Sequence, residues 1–305
     1  RLDKTHMRHD QSLMVPDSLQ SVHAPPAREP EATAPDRLES LFAHMRLSAR
    51  VFYNGNLCGV AHFGDTDTGP TGHIPLLRAG RLRLSVGHRR EDVEGPAVLL
   101  FPGRRPHDLR ADGTGVDLVC AAVDFGGPGN PLERGLPDFV ALAIAEEDVL
   151  HSALALLFSE AARPGCGHQA ALDRLTEVVI VYVLRRLIDE GARYGGLLAG
   201  LAHPSLARAL TLIHERPGDD LSLERLAAAS AMSRSSFAAT FRRVLGQTPG
   251  EYVQGWRLRL ARDQLANGKP LKRVAVELGY SSPAAFSRAF ATYHGASART
   301  LQRQE

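Results

Sequence analysis

The chain has 305 residues, 44% of them hydrophobic and 23% charged, which is apolar material for about two separately cored domains and excludes a disordered or fibrous protein. The net charge of +2 hides an asymmetry: residues 203–305 carry 15 Lys+Arg against 8 Asp+Glu, and the remainder carries 21 against 26. A basic C-terminal third on an acidic body is the footprint of a nucleic-acid-binding module joined to a part of another kind, although solvated surface arginines would give the same count.

Residues 1–37 are rich in Pro, His, Ser and Glu without periodicity and are expected to form a flexible leader. No secretory apolar segment occurs among the first residues. The most apolar run, Val178 to Leu184, is soon followed by Arg185 and Arg186, so no membrane span is expected and a cytoplasmic location is. Cys58, Cys120 and Cys166 are far apart and form no CxxC pair, which argues against a disulfide framework or a zinc finger.

Within an expected domain over residues 38–130, the chain changes character after the short helical run RLESLFAHMRL, from Val51 to about Asp124. Apolar runs such as HIPLLRAGRLRLSVG and VDLVCAAVDF alternate with Gly and Pro, and Leu82, Leu84 and Val86 share one face at period two. That pattern predicts a compact antiparallel β-barrel or sandwich. Over residues 131–202 the period becomes 3.6. HSALALLFSEAA and ALDRLTEVVIVYVLRRLIDEG read as helices; the second is apolar around so much of its circumference that it either fills its own core or joins two subunits as a homodimer.

The last segment, 203–305, contains one pattern twice. At about 222–245, LSLERLAAASAMSRSSFAATFRRVLG gives a helix capped by Ser222, a break near Met232, and a second helix carrying Phe237 and Phe241. At about 271–294, PLKRVAVELGYSSPAAFSRAFATYHG gives a helix, a turn at Gly279, and a helix capped by Ser282, with Pro283 at its first position and Phe286 and Phe290 inside. FAATF aligns with FSRAF, LAAASAMS with VAVELGYS, and the helix GEYVQGWRLRLARDQLANG joins the copies. The fold class expected is therefore α+β in two domains, the second an all-α double helix-turn-helix.

A probe helix entering a major groove about 12 Å wide needs small and polar residues on its outer face. Arg234, Ser235, Ala238 and Ala239 in the first copy, and Ser281, Ala284, Ala285 and Arg288 in the second, lie off the phenylalanine face. Arg234 and Arg288 could fork onto guanine, and alanines could touch thymine methyls. Arg242, Arg243, Lys272 and Arg273 suit phosphate contacts, which fix register without reading sequence. Helix pairs with Phe at i and i+4 are also ordinary core units; the duplication and the charge favour double-stranded DNA.

MSRSSFAATFRRVLGQTPGEYV, WRLRLARDQL and VAVELGYSSPAAFSRAF resemble the AraC/XylS family of bacterial transcription regulators, over about residues 203–303. The end departs from the family's GxSPxxYR-like close, with Ala298 for proline and Leu301 for tyrosine. LLFPGRRPHDL, NLCG, LVCAAVDF and LDRL…VYVLRR resemble the cupin-type sensor domain of one branch of that family. The resemblance implies a non-enzymatic regulator, activator or repressor, that acts on promoters alongside RNA polymerase and needs no cofactor. It also implies a signal, for which three readings stay open. Cys58 and Cys120, expected on strands, could be redox-sensitive; His62, His73 and His107 with a cysteine could hold a metal, as a metal-dependent cupin enzyme with an appended nucleic-acid module would; or a small organic effector could enter the barrel mouth.

Overall fold

In the computed structural model, which describes residues 36–45, 47–64, 72–113, 115–127, 130–191 and 194–301, the carboxylate of Asp36 accepts from the backbone N–H groups of Leu38 and Glu39 and starts α1 (Arg37–Phe42). Of the leader expected over 1–37, only Asp36 and Arg37 fall within the described residues.

Among the described residues nine strands follow: β1 (Ser48–Leu57), β2 (Val60–Phe63), β3 (Gly72–Ala79), β4 (Arg81–Val86), β5 (Arg89–Glu94), β6 (Ala97–Leu100), β7 (His107–Ala111), β8 (Val116–Asp124) and β9 (Val140–Ala143). They pair antiparallel in two sheets, β1-β8-β3-β6-β9 and β2-β7-β4-β5. The domain is thus two facing sheets and not the closed barrel that was one of the sequence's alternatives. Leu82, Leu84 and Leu109 of the small sheet share a core with Leu77, Leu99, Leu118 and Cys120 of the large one. The small sheet has one wet face, so β4 alternates exposed arginine with buried leucine. The large sheet is covered on both faces, and β3 and β6 are accordingly runs of buried residues.

The second cover is α3 (Val149–Ala161) and α4 (His168–Asp189). Val179, Ile180, Val183 and Leu184 are buried within the chain, and Val178 alone among the large apolar residues of α4 is exposed, at 44%. The apolar circumference that suggested a subunit interface is therefore mostly consumed at home. A helix pressed on one side against a sheet and on another against a second helix needs apolar residues over more than one stripe.

α2 (Pro131–Gly135), set between β8 and β9, is capped by the wholly buried Asn130, whose Oδ1 accepts from the Leu132 N–H. After α4 come α5 (Gly196–Ala202), α6 (Pro204–Glu215), α7 (Leu223–Ala229), α8 (Arg234–Leu245), α9 (Pro249–Ala266), α10 (Leu271–Glu277), α11 (Pro283–His294) and α12 (Ala298–Leu301). Ser222, Ser233 and Ser282 each accept from the backbone N–H three residues on, and Thr248 and Glu251 form a reciprocal capping box at α9. In the departing C-terminal close, Ala298 is buried and α12 packs on α9.

One apolar cluster runs from Leu38 to Ala298. α1 lies on α6, Arg37 donates to the Leu201 carbonyl at 2.7 Å, and His44 stacks on Trp256 at 6.4 Å. α2 packs on α5 through Gly135 and Leu197, and α5 packs on α8 where Gly200 meets Leu245. No single helix among the described residues is long and apolar enough to cross a membrane.

Candidate nucleic-acid interface and the sensor pocket

Phe237, Phe241 and Leu245 anchor α8, and Phe286 and Phe290 anchor α11, all buried. Arg234, Ser235, Ala239, Arg242 and Arg243 stand exposed on the far side of α8 with Ala238 half-buried; Ala284 and Arg288 stand exposed on α11 with Ala285 half-buried. Lys272 and Arg273 are exposed on α10. Ser281 is exposed too, but it lies in the turn before the Ser282 cap and not on the helix.

The two turns differ. Each break contains one residue in the left-handed region, Ala231 at φ 52° and Gly279 at φ 75°. The cap follows two positions later in the first unit and three in the second. The alignment that carries LAAASAMS onto VAVELGYS therefore slips by one before the phenylalanines. Matched on Phe237 and Phe286, Arg234 corresponds to Pro283 and Arg288 to Ala239, so the two arginines occupy different places on their helices.

Their electrostatics differ as well. Arg234 donates to Glu224 at 2.6 Å, and that hydrogen bond holds the Glu224 carboxyl below its usual range. Arg273 and Lys269 both engage Glu277, whose carboxyl is lowered by those two hydrogen bonds. Arg242, Arg243, Lys272 and Arg288 make no ion pair among the described residues.

Arg257, on α9, was missed by sequence reading. It donates to the Pro217 carbonyl at 2.6 Å and the Asp219 carbonyl at 2.7 Å, tying the α6–α7 loop down. That loop presses its Gly218 backbone on the turn of the second unit: a Cβ added at Gly279 would stand 2.5 Å from the Gly218 oxygen. The two helix-turn-helix units are thereby joined by a backbone contact as well as by α9. The turn residues of RPGDD mark the loop, but nothing local says what it touches.

In the sheet domain, the three histidines separate. His62 and Phe63 point to opposite faces of β2. Phe63 goes inward, its ring 4.2 Å from His73 and 5.1 Å from His107, while His62 goes outward to a 2.6 Å pair with Asp108. His73 and His107 do meet: His107 Nδ1 lies 2.7 Å from the Arg105 carbonyl, and His107 Nε2 lies 3.0 Å from His73 Nδ1. A carbonyl only accepts, so His107 carries its proton on Nδ1, and His73 Nδ1–H donates to His107 Nε2. Burial lowers both pKa values, His73 to about 3, so the pair is neutral. Among the described residues no group of three His, Cys, Asp or Glu is placed to hold a metal.

The cysteines separate too. Cys58 is exposed in the turn between β1 and β2, not on a strand, with its Sγ beside Gly115. Cys120 is buried between the sheets, five residues further along β8, a strand distance of about 16 Å. A disulfide needs Cα atoms within about 7 Å, so this pair cannot close without moving strands. Burial also pushes the Cys120 thiol up to about 12, against the thiolate that oxidants attack.

A cupin family model matches residues 36–189 and a helix-turn-helix domain model matches residues 226–304. The HTH-type transcriptional regulator AlkR of Acinetobacter baylyi is 30% identical over 77% of this chain and 81% of its own length. The RCS-specific HTH-type transcriptional activator RclR of Escherichia coli is 27% identical over 74% and 76%. A putative AraC-like transcription regulator of Streptomyces antibioticus is 41% identical, but the match spans 39% of this chain and 40% of that protein. With two antiparallel sheets under the cupin match, a helix-turn-helix domain behind them, and AlkR similar along most of both lengths, the chain belongs to the AraC/XylS family of transcriptional regulators with an N-terminal cupin domain.

Proposed function

We propose that the protein is a sequence-specific regulator of transcription that lays α8 and α11 into successive major grooves of double-stranded DNA. The observation that carries this is the pair of short helices, each anchored by a buried phenylalanine pair and each presenting an exposed face of small and polar residues. α9 joins them with 18 residues, about 27 Å of helix, commensurate with the roughly 34 Å between successive major grooves on one face of the duplex. Arg288, with no ion-pair partner among the described residues, reads a base; Arg234 does so after leaving Glu224. Ser235, Ala238, Ala239, Ala284 and Ala285 line the groove, and Ser281 sits at its edge. Arg242, Arg243, Lys272 and Arg273 hold phosphates.

The cupin domain supplies the signal, and the protein couples without catalysing: an effector acts by interacting unequally with two arrangements of the chain. A small ligand at the His73–His107 pocket is favoured over a Cys58–Cys120 switch by the separation of the cysteines and the raised Cys120 thiol.

Gel shifts on the DNA upstream of the protein's own reading frame, over a salt series, test the reading. Affinity that is selective over unrelated DNA and falls steeply with salt is expected. Weak binding that does not distinguish the two DNAs removes it. Cys120→Ser should leave any oxidant response intact; a response abolished by that change would restore the cysteine switch.

A further inference from the structure

The hydrogen-bond chain at the mouth of the cupin domain ends on an unused acceptor. With the Arg105 carbonyl fixing the His107 tautomer and His107 fixing that of His73, His73 Nε2 holds a bare lone pair. That atom is buried, belongs to a side chain more than nine-tenths buried, and has no hydrogen-bond partner among the described residues. His73 is part of the lining of a recess of about 40 Å³ whose other walls include Phe52, Phe63, His107, Arg104 and Arg105. The recess takes a hydroxyl and the atoms next to it, and its mouth is open. Phe52 lies 5.5 Å from His73 and is 55% exposed, which leaves an aromatic face for a second ring.

We propose that this pocket binds a phenol-class ligand, its hydroxyl donating to His73 Nε2 and its ring resting against Phe52. A carboxylate would meet a lone pair where it needs a donor. A metal ion would find one free imidazole nitrogen, because His107 Nε2 is committed to His73. The proposal rests on the regulatory reading, since the pocket wall leads to the DNA-binding helices. Arg105, whose backbone carbonyl accepts from His107, pairs through its guanidinium with Asp138 at 2.7 Å, and a Cβ on Gly103 would stand 2.9 Å from Glu133 of α2. α2 lies on α5, and α5 on α8.

The test uses the full chain labelled with ¹⁵N-histidine and titrated with phenol, toluene, benzoate and zinc. Phenol should move the His73 Nε2 resonance upfield from its unprotonated position without moving Nδ1. Toluene and benzoate should leave it in place. His73→Phe, which keeps a ring in the stack, should weaken phenol binding by about tenfold, the worth of one hydrogen bond. Phe52→Ala, at an exposed position that does not threaten folding, should weaken it as well. Toluene binding as well as phenol would reduce the site to a greasy recess and overturn the proposal; so would benzoate or zinc titrating His73 instead, or no ligand moving the resonance. The readout is independent of DNA, so a phenol response in a protein that fails the gel shift would remove the regulator and keep the site.

Discussion

The two helix-turn-helix units are built to one plan and stabilised differently. In the first, the left-handed turn residue is Ala231 and the probe arginine is tied to Glu224 by an ion pair within the unit. In the second, the turn residue is Gly279, packed under the Gly218 backbone, and the probe arginine is unengaged among the described residues. Both units carry a local ion pair, but in the first it holds the probe arginine, whereas in the second it joins Arg273 to Glu277 and leaves Arg288 ready. Repetition of a pattern conserves the anchor, and leaves the tip and the turn to differ.

The sharpest way to break this comparison is Gly279→Ala. It adds a Cβ 2.5 Å from the Gly218 oxygen on a residue at φ 75°, and it should destabilise the fold by about 2–4 kcal/mol in thermal or denaturant unfolding; an unchanged midpoint would show that the loop contact does not form. Arg288→Ala should weaken specific DNA binding by about 1–3 kcal/mol and leave non-specific binding nearly untouched, read by gel shift on both kinds of DNA. Arg257→Met removes two hydrogen bonds that hold the α6–α7 loop; a loss of about 1–2 kcal/mol of stability is expected, with affinity falling most on operators whose two half-sites have the native spacing.

Ala231→Gly should work in the other direction and stabilise by about 0.5–1 kcal/mol, because the relief of left-handed strain exceeds the added entropy of the unfolded chain. Smallest, Glu224→Gln frees Arg234 and should raise DNA affinity modestly. If affinity falls instead, the ion pair orients Arg234 for reading.

What the sequence made legible was local. Serine caps, the Phe237–Phe241 and Phe286–Phe290 spacings and the period-two leucines of β4 are each set within one helical turn or one strand, and each is found in the structure. What it hid depends on partners distant in the chain. The pairing of β1 with β8 decides that Cys58 and Cys120 are far apart. The direction of His62 follows from which face of β2 meets His73 and His107, and the role of Arg257 from a loop 40 residues away. The apolar α4 was ambiguous for the same reason: periodicity reports how much surface is covered, not by whom.

The apolar cluster that is continuous from Leu38 to Ala298 bears on how such proteins can be recombined. A cut at Gly195 would not release two finished modules, for each half would carry a raw surface, with Leu201 and Trp256 on one side and Leu41 and Leu132 on the other. Exchanging sensors between relatives would require transplanting the seam together with the sensor. Any evolutionary shuffling of these parts must have refitted that seam each time.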